Sequence, residues 1–307
     1  MSKKLGADFA LLFVAAIWGA TFVTVKNALA DITPFYFNAL RFSLAALILG
    51  IISWRKFPRL NKSLVVSGSL IGFFLFLGYS FQTIGLQYTS ASNAGFITGL
   101  SVVLVPFFSI FFSKKAPSWE ATIGALMAAV GLGLLSLDDT LHINTGDFLV
   151  LLCAVSFALH IIFVGRYSPI HDTFLLVTIQ VAAVAVLSFF GAFFYEPPLP
   201  ALTGQVWMAL LITAILATVF AFLVQNWMQK FTTPTRTAII LSMEPVFGAL
   251  FAFILLGEIL TTRDWTGSIL VFLGMIFAEI TFKTHRQKNQ RYTENDQLIL
   301  GQKNVPY

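Results

Sequence analysis

An all-α membrane protein is the fold class this sequence predicts: ten transmembrane helices arranged as two inverted five-helix repeats, with both termini cytoplasmic. Three observations predict it. The composition is too apolar for a water-facing globule, ten apolar runs have bilayer length, and an internal repeat places an odd number of runs in each copy. Of the 307 residues, 57% are hydrophobic and only 11% are charged. A soluble domain carries about 25% charged residues, so the polar surface needed to cover such a globule is missing. The 33 Phe fit an exterior that faces lipid. A pI near 9.4 would suggest nucleic acid in a soluble chain. Here the basic residues have another use, in setting membrane orientation, and no nucleic-acid partner is expected. The single cysteine, Cys153, rules out an intramolecular disulfide.

A helix needs about 20 apolar residues, at 1.5 Å each, to cross roughly 30 Å of hydrocarbon. The first run, 8–27, follows "MSKK" and is followed by "ALA" at 28–30, the outline of a cleaved leader. Its apolar part exceeds the roughly 7–15 residues that a signal peptide uses, so it is taken as a retained first span. Runs two to five fall at 34–54, 64–86, 91–112 and 119–137. Helix-stop chemistry separates them: "DITP" at 31–34, "RKFPRLNK" at 55–62 and "KKAPS" at 114–118. After "DDTLHINTG" at 138–146 come 147–164 and 173–194, and after "YEPPLP" at 195–200 come 204–227, 235–256 and 264–282. The polar, basic tail at 283–307 is predicted to be disordered, cytoplasmic and drawn to anionic lipid. Asp138, Asp139, Glu196 and Asp264 read as solvated loop charges.

Orientation follows from the Lys and Arg in the breaks. With the N-terminus inside, sixteen of the 19 fall in cytoplasmic segments, Lys26 and Arg263 fall outside, and Arg41 lies within a span. All the loops are short, which is the regime in which this bias sets topology. The expected location is the plasma membrane.

Two copies of one unit are legible. "ADFALLFVAAIWGATFV" at 7–23 lies over "GDFLVLLCAVSFALHII" at 146–162, pairing Asp8 with Asp147, Trp18 with Phe157 and Thr21 with His160. In the same register Arg41 falls on Gln180. From the third span the offset grows by four residues, and "FQTIGLQYTSASNAGFI" at 81–97 lies over "VQNWMQKFTTPTRTAII" at 224–240. Gln82 then pairs with Gln225 and Asn93 with Arg236, while Gly124 and Gly131 fall on Gly267 and Gly274. The units are 1–137 and 138–282. Five spans is an odd number, so the second copy must enter the membrane from the opposite side. That is the architecture of many secondary transporters, whose sites lie at mid-depth between the repeats.

The costly residues are the polar ones in the spans. Glu244 lies about 13 Å deep in span nine by helical rise. An acidic group at the bilayer centre costs about 2.5–3.5 kcal/mol even on the mild insertion scale. It either binds substrate or a proton during transport, or ties down backbone donors beside Pro245, whose missing N–H breaks the helix ladder. Arg41 lies about 10 Å in from the outer face of span two and keeps its charge. It is expected to form a structural or gating pair with Glu244, or to bind a substrate carboxylate. Trp18, Thr21, Tyr79, Gln82, Asn93, Thr98, His160, Gln225 and Asn226 make a candidate cavity of aromatic walls and a few polar groups. Each taken singly is better explained as a hydrogen bond between helices, and it is as a set that they make a pocket.

With these residues in hand, the chain resembles the EamA-type branch of the drug/metabolite transporter superfamily over about 7–282. The resemblance is carried by "AAIWGATFV", "NALRFSLAALIL", "YTSASNAGFITGLSVV" and, most specifically, "MEPVFGALFAFILLGEILTTRDWTGSILVFLGM". Such a resemblance implies export or exchange of small metabolites such as amino acids, without an ATP-using domain. In one departure, Val102 stands where many members carry the proline equivalent to Pro245, and Pro106 follows four residues later.

The function expected is therefore secondary, non-ATP-driven transport by alternating access, with a small metabolite as partner and protons as a candidate coupling ion. No cofactor and no metal site is expected, and the chain would act as monomer or homodimer. The alternative is an intramembrane enzyme or receptor acting on a lipid or small ligand. Against an enzyme, no H-E-x-x-H, paired-carboxylate metal motif or nucleophile–base pair is present in the sequence.

Overall fold

The computed structural model describes residues 3–113, 117–136, 144–256 and 261–278. The regular elements among these residues are all helical. In the first half they are α1 (Lys3–Ala28), α2 (Pro34–Ser53), a 3-10 segment (Trp54–Arg59), α3 (Lys62–Gly85), α4 (Ala91–Gly99), α5 (Ser101–Ser113) and α6 (Trp119–Ser136). The second half begins with α7 (Thr145–Tyr167), α8 (Thr173–Tyr195) and α9 (Gly204–Ala214). A π turn (Ile215–Phe220) joins α9 to α10 (Ala221–Met228), followed by α11 (Pro234–Leu241), α12 (Glu244–Leu256) and α13 at 262–278. These elements fall on all ten apolar runs. Seven of the described helical stretches are long and apolar enough to cross a bilayer unaided. The tail at 283–307, Asp138 and Asp139 lie outside the described residues.

The outer surface is what lipid requires. Phe193, Phe194, Tyr195, Leu47 and Phe111 are largely exposed, an arrangement that would aggregate in water. Inside, α2 packs along α8, α3 lies against α7 and α8, and α1 lies against α12 and the α9–α10 segment. The helices approach most closely where glycines meet. A Cβ on Gly131 would stand 2.6 Å from the Gly267 carbonyl, and one on Gly124 would stand 2.6 Å from the Gly274 carbonyl. Small residues at such crossings let backbones touch, which is how helices associate when lipid supplies no hydrophobic drive.

The ends of α2 and α8 are tied together. Glu196, at the end of α8, accepts hydrogen bonds from Thr33 Oγ1 (2.7 Å) and from the Phe35 and Tyr36 N–H groups (2.7 and 2.9 Å). It therefore satisfies free amides at the start of α2 and is not the solvated loop charge expected from sequence. Asp264 is likewise engaged, accepting from the Thr261 amide and hydroxyl at 2.7 Å each. At the other end of the α2–α8 pair, Asp172 caps α8 by accepting from the Phe174 and Leu175 N–H groups (3.0 and 3.3 Å). It also holds Lys56 Nζ at 2.9 Å. Burial works to raise the Asp172 carboxyl, but the bonds from Lys56, Leu175 and Phe174 outweigh it and hold it below the usual carboxylate range. A carboxylate held low adds stability above its unfolded pKa, and that stability is lost as pH falls through the folded value. Asp172→Ala is expected to cost about 1 kcal/mol of stability and to weaken the acid sensitivity of unfolding. Thermal unfolding in detergent between pH 7 and pH 3 measures both.

Two spans are interrupted in mid-course, which sequence periodicity did not resolve. Span four breaks at Leu100, whose N–H is shared between the Phe96 and Ile97 carbonyls (3.2 and 3.1 Å). Span nine breaks at Ser242–Met243, where the Met243 N–H turns back to Ile240 (3.1 Å). Pro245 explains the second break, because a helix restarts readily with proline in its first turn. The first occurs without a proline at that place, directly after Gly99. In the repeat register Leu100 falls on Met243, so the two breaks occupy equivalent positions.

Candidate functional site

Between the two breaks lies a cavity whose volume open to water centres is about 80 Å³, room for several waters or a compact solute. Its lining comes from α1, α2, α3, α4 and α5 of the first half and from α7, α10, α11 and α12 of the second. Eight pairs of lining residues coincide in the repeat register. These are Trp18 with Phe157, Thr21 with His160, Phe22 with Ile161, Tyr79 with Phe222, Gln82 with Gln225, Thr98 with Leu241, Gly99 with Ser242 and Ser101 with Glu244.

The aromatic walls interlock. Tyr79 meets Phe157 and Phe222 edge-on, with ring centroids 5.3 and 6.3 Å apart. Trp18 lies 5.5 Å from Phe222 and donates its indole N–H to the Ala217 carbonyl at 2.9 Å. That carbonyl belongs to the π turn, whose wider winding is a recurrent feature of functional sites. Among the polar groups, Gln82 Nε2 donates to Thr98 Oγ1 (3.2 Å), and the Thr21 hydroxyl donates to its own helix at the Trp18 carbonyl (2.9 Å). His160 is 2% exposed and pairs through Nε2 with Gln180 Oε1 at 3.3 Å. Gln225 Oε1 is buried and has no hydrogen-bond partner among the described residues.

Buried Arg41 and half-buried Glu244 share this cavity, yet the direct pair expected between them is not formed. The ion pairs among the described residues are Lys56–Asp172 and Arg236–Asp8. Arg41 instead donates from Nε to Thr218 Oγ1 (2.9 Å) and from Nη2 to the Tyr79 hydroxyl (3.3 Å) and the Ala217 carbonyl (3.4 Å). The rigid π turn supplies two of these three acceptors, which fixes the guanidinium on its own side of the cavity. Glu244, the first residue of α12, lines the cavity beside Ser242 and Pro245. No hydrogen bond from backbone donors around Pro245 holds its carboxylate, so the bracing role considered for it has no counterpart in the geometry.

Of the residues proposed from sequence, Trp18, Thr21, Tyr79, Gln82, Thr98, His160 and Gln225 line the cavity together with Arg41 and Glu244. Asn226 does not: it is fully buried one position away and donates to the Phe222 carbonyl at 2.9 Å, within its own helix. The side chain of Asn93 lies outside the described residues. Phe157, Phe222, Ser101 and Ser242 line the site and were missed. The repeat register carried the signal for them, since each is the counterpart of another lining residue.

The EamA-like transporter family matches this chain twice, over residues 5–137 and 144–279. The chain belongs to the EamA-like transporter family. Among relatives, an uncharacterized transporter of Archaeoglobus fulgidus is 40% identical over 278 residues, covering 91% of this chain and 87% of that protein. The uncharacterized transporter YoaV of Bacillus subtilis is 24% identical, covering 90% of this chain and 97% of the relative. A solved structure titled "Crystal structure of protein" superposes with a TM-score of 0.76 over 92% of this chain and 99% of that one, at 20% identity. That likeness confirms the fold alone. As an EamA-like protein the chain is a multi-pass membrane transporter acting on a small molecule.

Proposed function

We infer that this EamA-like protein is a secondary exporter or exchanger of small polar metabolites in the plasma membrane, working by alternating access around the cavity between the two helix breaks. The carrying observation is that this cavity lies where spans four and nine are interrupted at equivalent positions. Broken helices at corresponding places in two halves are the expected position of a transporter's binding site. Two further contacts support a twofold relation between inverted halves 1–137 and 138–282. Gly124 meets Gly274 while Gly131 meets Gly267, which is the reciprocal pattern that a twofold axis produces. The eight coincident lining pairs fit the same axis. If the halves are equivalent, exchanging their conformations turns the cavity from one face of the membrane to the other.

Counterflow in proteoliposomes tests the function. Labelled amino acids and related metabolites should accumulate against preloaded unlabelled solute, without ATP. A chemically altered product, or no accumulation across the panel, would overturn it. Topology is tested separately. Cys153 is buried, so a cysteine introduced at either terminus supplies the reactive thiol. An impermeant maleimide should leave both termini unlabelled in intact cells and label both after permeabilisation.

Asp8 of α1 latches α1 to α11, accepting from Arg236 Nε at 2.8 Å and from its Nη2. The side chains are only 10–11% exposed, and an ion pair at such depth resists separation because each charge would lose its partner out of water. Asp8→Asn is expected to change the counterflow rate by a few-fold, and Asp8→Arg with Arg236→Asp to recover most of it. Failure of the swap to recover would remove the latch role.

A further inference from the structure

Arg41 is a cation with no anion among its bonded partners in the described residues. It is 3% exposed and lines the cavity. The groups that hold it are neutral: the Thr218 and Tyr79 hydroxyls, the Ala217 carbonyl, and the faces of the Tyr79 and Phe42 rings at 4.7 and 5.2 Å from the guanidinium carbon. Nη1 makes no hydrogen bond among the described residues. Taking a guanidinium out of water is costly unless it is paired, and ring faces and neutral acceptors recover only part of that cost. A neutral amide would meet the same acceptors without it. The other half of the chain uses one at the equivalent place, where Gln180 bonds to His160. A charge retained at such cost, facing a cavity with one fork nitrogen unused, is a site for a ligand anion.

We propose that Arg41 is the specificity-determining anchor for a carboxylate on the transported solute, an inference that rests on the transport reading above. A carboxylate accepts charge-assisted hydrogen bonds from Nη1, the guanidinium nitrogen that no protein acceptor occupies among the described residues. The remaining wall, Trp18, Phe157 and Phe222, takes an apolar body. Glu244 shares the cavity and repels a second negative charge, so a phosphate dianion is disfavoured and a single carboxylate is accepted. The π turn positions the fork, because its carbonyl and its threonine hydroxyl occupy Nη2 and Nε.

The test loads proteoliposomes of the full chain with matched probe pairs: leucine with leucinamide, benzoate with benzamide, and 4-methylvalerate with its amide. Efflux is followed by mass spectrometry, and thermal shift of the detergent-solubilised protein is measured with the same probes. The wild type should favour the carboxylate of a transported pair by at least about tenfold, the discrimination a charge-assisted hydrogen bond supplies. Arg41→Gln should lose that preference, and Arg41→Lys should keep part of it, having the charge without the fork. Equal efflux of acid and amide overturns the proposal, as does a preference that survives in Arg41→Gln. If no probe leaves the vesicles, the thermal shift decides. A carboxylate-specific stabilisation lost in Arg41→Gln supports the anchor while counting against transport, and its absence in the wild type overturns the anchor.

Discussion

Glu244→Gln is expected to leave the protein folded and to lower transport by tenfold or more, about 1.4 kcal/mol or greater in the transport step. The substitution is nearly isosteric and removes a group that forms no ion pair among the described residues. Folding therefore has little to lose, and relieving a half-buried acid of its desolvation cost can even raise stability. Function stands to lose much more. Glu244 lines the cavity at the first residue of α12, next to the break that gives span nine two independent halves. On the transport reading it is the acid that would face the solute, and glutamine could neither balance a positive group on the cargo nor take up a proton. Parallel measurement of unfolding temperature and counterflow checks both parts. A folded Glu244→Gln protein with full transport would show that the acid has no working role. A large fall in unfolding temperature would restore the bracing role that the sequence left open.

Gly131→Leu is expected to prevent normal assembly of the bundle. Even the methyl of Gly131→Ala would stand 2.6 Å from the Gly267 carbonyl and 2.8 Å from the Val271 backbone nitrogen. Those are backbone atoms of a neighbouring helix, so no side-chain rotation relieves the contact and α6 must move away from α13. Overpacking of this kind costs about 1–3 kcal/mol for small additions, and leucine adds three carbons more. The alanine variant should unfold several degrees lower in detergent, and the leucine variant should elute as an aggregate or fail to accumulate in the membrane. Gly124→Leu should behave alike, because it meets the Gly274 carbonyl in the reciprocal contact. Gly50→Ala is the control, as nothing lies within 4 Å of the added carbon. A Gly131→Leu protein with unchanged unfolding would mean that the two helices do not cross here.

Much of the site could be read from residues alone because burying polar groups in hydrocarbon is expensive. Few are retained without reason, so Arg41, Glu244, Gln82 and Gln225 stand out in apolar runs, and all four line the cavity. Asn226 stood out equally and is excluded, since adjacent positions on a helix face about 100° apart and composition does not say which one looks inward. Phe157 and Phe222 did not stand out at all, because phenylalanine is as suitable for a lipid face as for a cavity wall. Glu196 looked like an idle loop charge because its partners, the amides of Phe35 and Tyr36, are some 160 residues away in the chain.

By itself the sequence determined that this protein spans a membrane and where its helices fall. Those properties follow from local quantities, the apolar length of each run and the spacing of its polar residues. Tertiary structure alone decided that Arg41 and Glu244 form no direct pair, that Arg41 rests on a π turn, and that span four breaks at Leu100 without a proline. The reason is that a side chain's partner, and a backbone's departure from regular winding, depend on which distant helix presses against it, and hydrophobic periodicity carries no record of that neighbour.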